Sequence, residues 1–178
     1  MAETVRARPD TRVRTAQLSD VEAICRFGER HIPPHYTPLI GEAAAQRQVR
    51  QWWNESHVSA AVADGRVVVA ETGGRIVGVG QRGPDHVVYK LYLHPDHRGH
   101  GLGPQLLDAL ASQLPEDVGQ LRIEHFAANE RAAAFYEREG FAVERIEPDP
   151  AGDPALAVVW RARPITLREE WPPPRALG

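Results

Sequence analysis

From residue 66 to residue 93 the sequence spells three strands joined by two turns, and this meander limits the possible folds more than any other stretch. Residues 66–72 (RVVVAET) are valine-rich, as pleated, half-buried segments are. Gly73-Gly74 then supplies the two positive φ angles that a tight hairpin needs. Residues 75–82 return as a second strand, and Gly83-Pro84-Asp85 turns the chain again. Residues 86–93 (HVVYKLYL) alternate. That predicts Val87, Tyr89, Leu91 and Leu93 on one face, with Val88, Lys90 and Tyr92 on the other.

The flanking segments read as helices and strands in turn. A short strand is expected over 13–16, and Ser19 or Asp20 caps a helix carrying Val21, Ile24, Cys25 and Gly28 on one stripe. Cys25 there is a small packing residue. Pro33-Pro34 removes two amides and restricts the residue before each, so the helix is expected to end there and residues 31–41 to form an irregular loop. A second helix follows, with Ala45, Val49 and the tryptophans Trp52 and Trp53 on a core-facing side. Beyond the meander come a helix from about Gly103 to Pro115, a strand over 121–127, a helix over 129–139, and strands over 141–147 and 155–163. An antiparallel meander feeding alternating helices and strands gives a mixed α/β fold: a central, mostly antiparallel sheet with helices on both faces. Residues 1–11 read as a loose N-terminus, 12–163 as one domain, and 164–178, with Pro172-Pro173-Pro174, as an extended tail.

Charge and cysteine content exclude several roles. The 21 basic and 24 acidic residues nearly cancel, which offers no electrostatic footprint for nucleic acid or an anionic membrane. No run approaches the ~18 apolar residues of a membrane span. The first 25 residues hold Glu3, Asp10 and Asp20 without an apolar core, so no secretory signal is expected and the protein reads as cytoplasmic. Cys25 is the single cysteine, which leaves no disulfide or cysteine metal cage. The eight histidines are placed badly for a metal: glycines and Pro95 interrupt His94, His97 and His100, and Pro33-Pro34 separates His31 from His35.

The chemistry is concentrated between a strand and a helix, in His94-Pro95-Asp96-His97-Arg98-Gly99-His100-Gly101-Leu102-Gly103-Pro104. Its three glycines free the backbone and let a ligand approach closely. Successive amides at a helix N-terminus form an anion nest, and Pro104 suits the first helical turn. No P-loop lysine follows, and the dinucleotide spacing fails. A plain turn and a phosphate site fit the loop equally well by itself.

Arg98-x-x-Gly101-x-Gly103 after Leu91-Tyr92-Leu93-His94-Pro95 resembles the acyl-CoA-binding motif of the GNAT superfamily of N-acetyltransferases. Asn129-x-x-Ala132-x-x-Phe135-Tyr136, ending in Gly140-Phe141, is similar to that family's next block. The match is clear over 86–146, and the order of elements extends it over 12–163. The resemblance implies acetyl-CoA as cosubstrate, with its pyrophosphate on Arg98, Gly99, His100, Gly101, Leu102, Gly103 and Pro104. It also implies that the preceding strand bulges and splays, so that the backbone of Leu91, Tyr92 and Leu93 pairs with the pantetheine arm. Asn129 matches a CoA-contacting position and equally suits a helix N-cap.

By the same resemblance Tyr136 is the acid beside the CoA sulfur, the alternative being an aromatic core residue beside Phe135. Glu124 is similar to the carboxylate base of the ribosomal-protein N-terminal acetyltransferases in the family, the alternative being a solvated or salt-bridged strand residue. Val87 stands where relatives often carry a carboxylate, and His125 reads as a packed histidine on the face opposite Glu124. His31, His35 and Tyr36 fall in the region that lines the acceptor side in relatives, where they contact the acceptor or pack the loop.

The expected activity is acetyl transfer to a primary amine, a small molecule or a peptide N-terminus, directly in a ternary complex; family habit adds a homodimer. The competing reading, favoured by Val87, is a non-catalytic acyl-CoA-binding sensor of the same fold. A nucleotide-binding protein is a third, against which the missing P-loop lysine speaks.

Overall fold

The computed structural model describes residues 11–165, so the expectations for the N-terminus and for most of the tail lie outside the described residues. The elements run β1 (Thr11–Thr15), α1 (Val21–Ile40), α2 (Glu42–Trp52), α3 (Glu55–Ala63), β2 (Val67–Thr72), β3 (Arg75–Arg82) and β4 (Val87–Leu93). They continue with α4 (Leu102–Ser112), β5 (Gln120–Phe126), α5 (Glu130–Arg138), β6 (Ala142–Glu147) and β7 (Val158–Pro164). The sheet has seven strands in the order β1-β2-β3-β4-β5-β7-β6, and only β4 and β5 pair in parallel. Gly73 and Gly74 both carry positive φ, as the hairpin between β2 and β3 requires. The mixed, mostly antiparallel sheet is therefore the one expected.

Two cores cover its faces. Ile24, Phe27, Ile32, Tyr36, Trp53 and Val58 from α1 to α3 pack on Val67, Val69 and Val79. On the opposite face Leu102, Leu106, Leu107 and Leu110 of α4 and Tyr136 of α5 pack on Val68, Val88, Leu121 and Ile123.

Three expectations are corrected. Residues 31–41 are not a loop: α1 runs through Pro33, Pro34 and Pro38 to Ile40. Its buried stripe of Ile24, Phe27, Ile32, Tyr36 and Ile40 keeps helical spacing across the prolines. Pro34 and Pro38 point outward, and the carbonyls left without a donor belong to Glu29, Arg30 and Pro34, all on the exposed side where water can serve them. Trp53 is a core anchor, but Trp52 is 45% exposed, because the helix ends there and adjacent residues cannot share a face. A third helix, α3, follows from Asn54, whose side chain accepts from the His57 amide.

The third correction is in β4. Gln81 pairs with Lys90 but Arg82 pairs with Val88, so Tyr89 is left over as a β-bulge. The extra residue inverts the alternation. Val88 now shares the α4 face with Leu91 and Leu93, while Lys90 and Tyr92 face α1 to α3. Lys90, the sole lysine, is buried there: its ammonium donates to Gln81 Oε1 at 2.7 Å and to the Trp52 carbonyl, over the Trp53 ring. Burial pushes it down to about 7.

Trp53 also explains Gly28. A Cβ added at Gly28 would overlap the buried indole ring. Alanine normally gains ~1 kcal/mol over glycine inside a helix, whereas overpacking a core loses ~1–3 kcal/mol. Gly28→Ala is therefore expected to destabilise by about 2 kcal/mol, read as a lowered midpoint in chemical denaturation; a stabilised variant would contradict this packing.

Candidate functional site

The parallel pair β4–β5 holds only two rungs, Val87 with Arg122 and Val88 with Ile123. Beyond the Tyr89 bulge the strands separate, so the edge of β4 from Tyr89 to Leu93 has no partner on the β5 side. A cleft of about 580 Å³ opens between them, reaching from the glycine loop and α5 to Glu124 and α1. An unpaired strand edge lining a cleft is a ready template for an extended ligand.

One end of the cleft is the loop. Gly99 and Gly101 both take positive φ, 76° and 77°, and Gly101 is the N-cap of α4. Gly103 is small for another reason: an added Cβ would stand 2.9 Å from the Phe135 ring of α5. Among the described residues, no protein group accepts from the amides of Gly99, His100, Gly101, Leu102 or Gly103. Five consecutive unpaired amides at a helix N-terminus are a strong anion-binding arrangement. Arg98 stands beside them with its Nε donating to the Leu93 carbonyl at 3.3 Å, and the Arg131 charge acts on it from α5. Neither guanidinium pairs with a carboxylate among the described residues.

At the middle, Tyr136 of α5 is buried between His125, Phe135 and Phe141 while still lining the cleft. Burial raises its phenol, with the nearby Tyr36 adding to the effect. His125 lies behind it and is satisfied: Nδ1 donates to the Phe126 carbonyl at 2.9 Å, and Nε2 accepts from Arg161 Nε at 3.0 Å. Those contacts fix a neutral ring, and burial pushes its pKa down.

Glu124 lies beyond, on the opposite face of β5. Desolvation, reinforced by the charges of Glu147 and Asp85 and opposed by Arg145, pushes its carboxyl up to about 7. Across the cleft, Tyr36 bonds to Tyr92 through their hydroxyls and stacks edge-on against Phe126. Asn129 caps α5, its Oδ1 accepting from the Ala132 amide at 3.1 Å, while its Nδ2 reaches His35 Nε2 at 3.4 Å. Burial, then Arg98 and Arg131, pushes His35 down.

The fold thus brings Leu91, Tyr92, Leu93, Arg98, Gly99, Gly101, Leu102, Gly103, Pro104, Glu124, Asn129, Tyr136, His35 and Tyr36 onto one cleft. His100 belongs to the loop but its side chain stays outside, exposed. His31 is also outside: its ring packs on Phe27 at 4.6 Å and on His94 at 4.8 Å. Sequence reasoning missed Tyr89, which the bulge turns into the cleft, and Arg131, which stands two residues beyond Asn129 in the motif and carried a signal. Among the described residues no three His, Cys, Asp or Glu side chains converge as a metal site, and no helix is long and apolar enough to cross a membrane.

Comparison with known proteins agrees with this geometry. A family model described as the acetyltransferase (GNAT) domain matches residues 63–143. No curated protein matches by sequence. Among solved structures, the PaiA N-acetyltransferase of Thermoplasma acidophilum, in complex with coenzyme A, is 14% identical with a TM-score of 0.71, over 88% of this chain and 99% of its own. A GNAT-family acetyltransferase of Bacillus cereus is 18% identical (TM-score 0.63, covering 89% and 99%). YncA of Salmonella typhimurium, a putative acetyltransferase with acetyl-CoA, is 19% identical (TM-score 0.60, covering 89% and 95%). The matched segment carries β4, the loop, α4, β5 and α5, the elements that build the cleft, so over those residues the chain is similar to the GNAT acetyltransferase domain, and it shares the fold of the solved structures.

Proposed function

We propose that the protein transfers an acetyl group from acetyl-CoA to a primary amine, directly within a ternary complex. The observation that carries this reading is the cleft itself, which joins an unpaired amide nest to a carboxyl and a phenol along an unpaired strand edge. The residues fit the cosubstrate. Amides 99–103 with Arg98 and Arg131 would hold its phosphates, and the backbone of Leu91 to Leu93 its amide-bearing arm. The bound cosubstrate supplies a thioester as acyl donor.

Glu124 is the proton acceptor for the acceptor amine. An ordinary carboxylate near 4.3 is a weak base, and a carboxyl held near 7 is much better matched to the task. Tyr136 donates a hydrogen bond to the departing sulfur. Its phenol is raised by burial, but a thiolate formed in the same desolvated cleft is raised by the same effect, so donor and acceptor stay matched. Val87 is buried core, which leaves Glu124 as the carboxyl lining the reacting part of the cleft.

The test is release of free CoA thiol from acetyl-CoA across a panel of amines, followed against pH. Glu124 accepts a proton only when ionised, and its pKa is raised. Release is therefore expected to fall about tenfold per pH unit below about 7 and to level above it. A limb near 4 would remove Glu124 from this role. Acetyl-CoA bound without release from any amine would favour the sensor reading.

A further inference from the structure

The surroundings of Glu124 narrow the acceptor. On the face of the sheet that α1 leaves open, Glu124 of β5 pairs with Trp160 of β7, which pairs in turn with Arg145 of β6. Phe126, Val158 and Glu147 form a neighbouring row on the same face. Arg145 is the cation that acts on Glu124, and it is committed: its Nε donates to Glu147 Oε1 at 2.9 Å and its guanidinium stacks 4.1 Å from the Trp160 ring centroid. Arg122, next along β5, is committed to Glu144 at 3.2 Å. On the other flank Asp85 Oδ2 accepts from the Tyr89 hydroxyl at 2.5 Å, and the Tyr89 ring lies so close over Gly83 that an added Cβ would stand 2.6 Å from it. Among the described residues, the guanidiniums that line the cleft without a carboxylate partner are Arg98 in the loop and Arg131 and Arg138 on α5.

Resting on the acetyl-transfer reading above, we propose that the acceptor is an amine bearing no carboxylate on the carbon attached to nitrogen, so that free α-amino acids are rejected. An ammonium approaching Glu124 meets Glu147 and Asp85, whose charges attract it. An α-carboxylate brought to the same place meets those like charges, and each nearby guanidinium already serves a protein carboxylate. Discrimination built on such repulsion is a common route to specificity.

The experiment compares kcat/KM for alaninamide with alanine, and for phenylalaninamide with phenylalanine, each referred to the concentration of unprotonated amine. The amide is expected to exceed the acid by about tenfold or more, the scale of one or two partly screened charges at this range. Glu147→Lys, on an exposed side chain, is expected to lower that ratio about tenfold while acetyl-CoA affinity is unchanged. Equal rates for acid and amide, or a ratio unmoved by Glu147→Lys, would overturn the inference and leave acetyl transfer standing. Bound acetyl-CoA with no turnover on any amine, 2-phenylethylamine included, would overturn both.

Discussion

Tyr136→Phe is expected to lower turnover by about 10²–10³-fold, the range for loss of a positioned proton donor, while acetyl-CoA affinity changes little. The ring would keep its contacts with His125, Phe135 and Phe141, because only the hydroxyl is removed. No protein partner holds that hydroxyl among the described residues, so its loss leaves no buried group unsatisfied and the fold should be unaffected. Stopped assays of thiol release, with calorimetric titration of acetyl-CoA, separate the two quantities. Equal turnover in the variant would reduce Tyr136 to a core aromatic. A parallel loss of binding would show that the ring shapes the cleft instead.

Gly101→Val should act on the other quantity. Gly101 holds φ at 77° as the N-cap of α4, and an added Cβ would meet only Gln105 at 3.9 Å. Space is therefore available, and the obstacle is backbone conformation. A left-handed L-residue is strained by roughly 1–2 kcal/mol, and a β-branched one suits that region least. Relieving the strain turns the peptide planes on either side and re-aims amides 99–103. Hydrogen bonds to a charged group contribute roughly 1.5–3 kcal/mol each, so misdirecting two of them should weaken acetyl-CoA by about 100-fold or more. Gly119→Ala is the control: it lies away from the loop, with nothing near an added Cβ and a φ outside the left-handed region. Equal affinity in Gly101→Val would mean that the loop amides do not carry the phosphates.

The legible parts of this protein were those in which a residue's own chemistry sets its conformation. Gly73-Gly74 could only turn, and the glycines at 99 and 101 supply a left-handed backbone that other residues rarely adopt. The loop was legible for the same reason, while Asn129 and Tyr136 were legible through the resemblance of their motif to a family block and its order after the strand and loop. Pro33-Pro34 misled because a local rule was overridden. Packing of Ile32, Tyr36 and Ile40 outweighs the lost amides when the freed carbonyls face solvent. His31 was assigned to the acceptor side on that supposed loop, and as a helix residue it turns to His94 instead.

Tyr89 shows where sequence reading stops. The family resemblance implied a bulge and a splay in this strand, but the alternation of HVVYKLYL does not place the surplus residue at Tyr89, and that surplus inverts every later side chain of β4 and opens the cleft. The mixed sheet and the glycine loop could be read from the residues, because φ preference and period-two alternation are local properties of the chain; the candidate acid and base came from the family resemblance. Only the folded sheet fixed the bulge at Tyr89, the parting of β4 and β5 after two rungs, and the burial of Lys90. It also placed Glu124 among Glu147, Asp85 and Arg145, residues 21 to 39 positions from it along the chain, with a carboxyl held near 7. Strand register and electrostatic field are sums over distant neighbours, and they come into being only when the sheet closes.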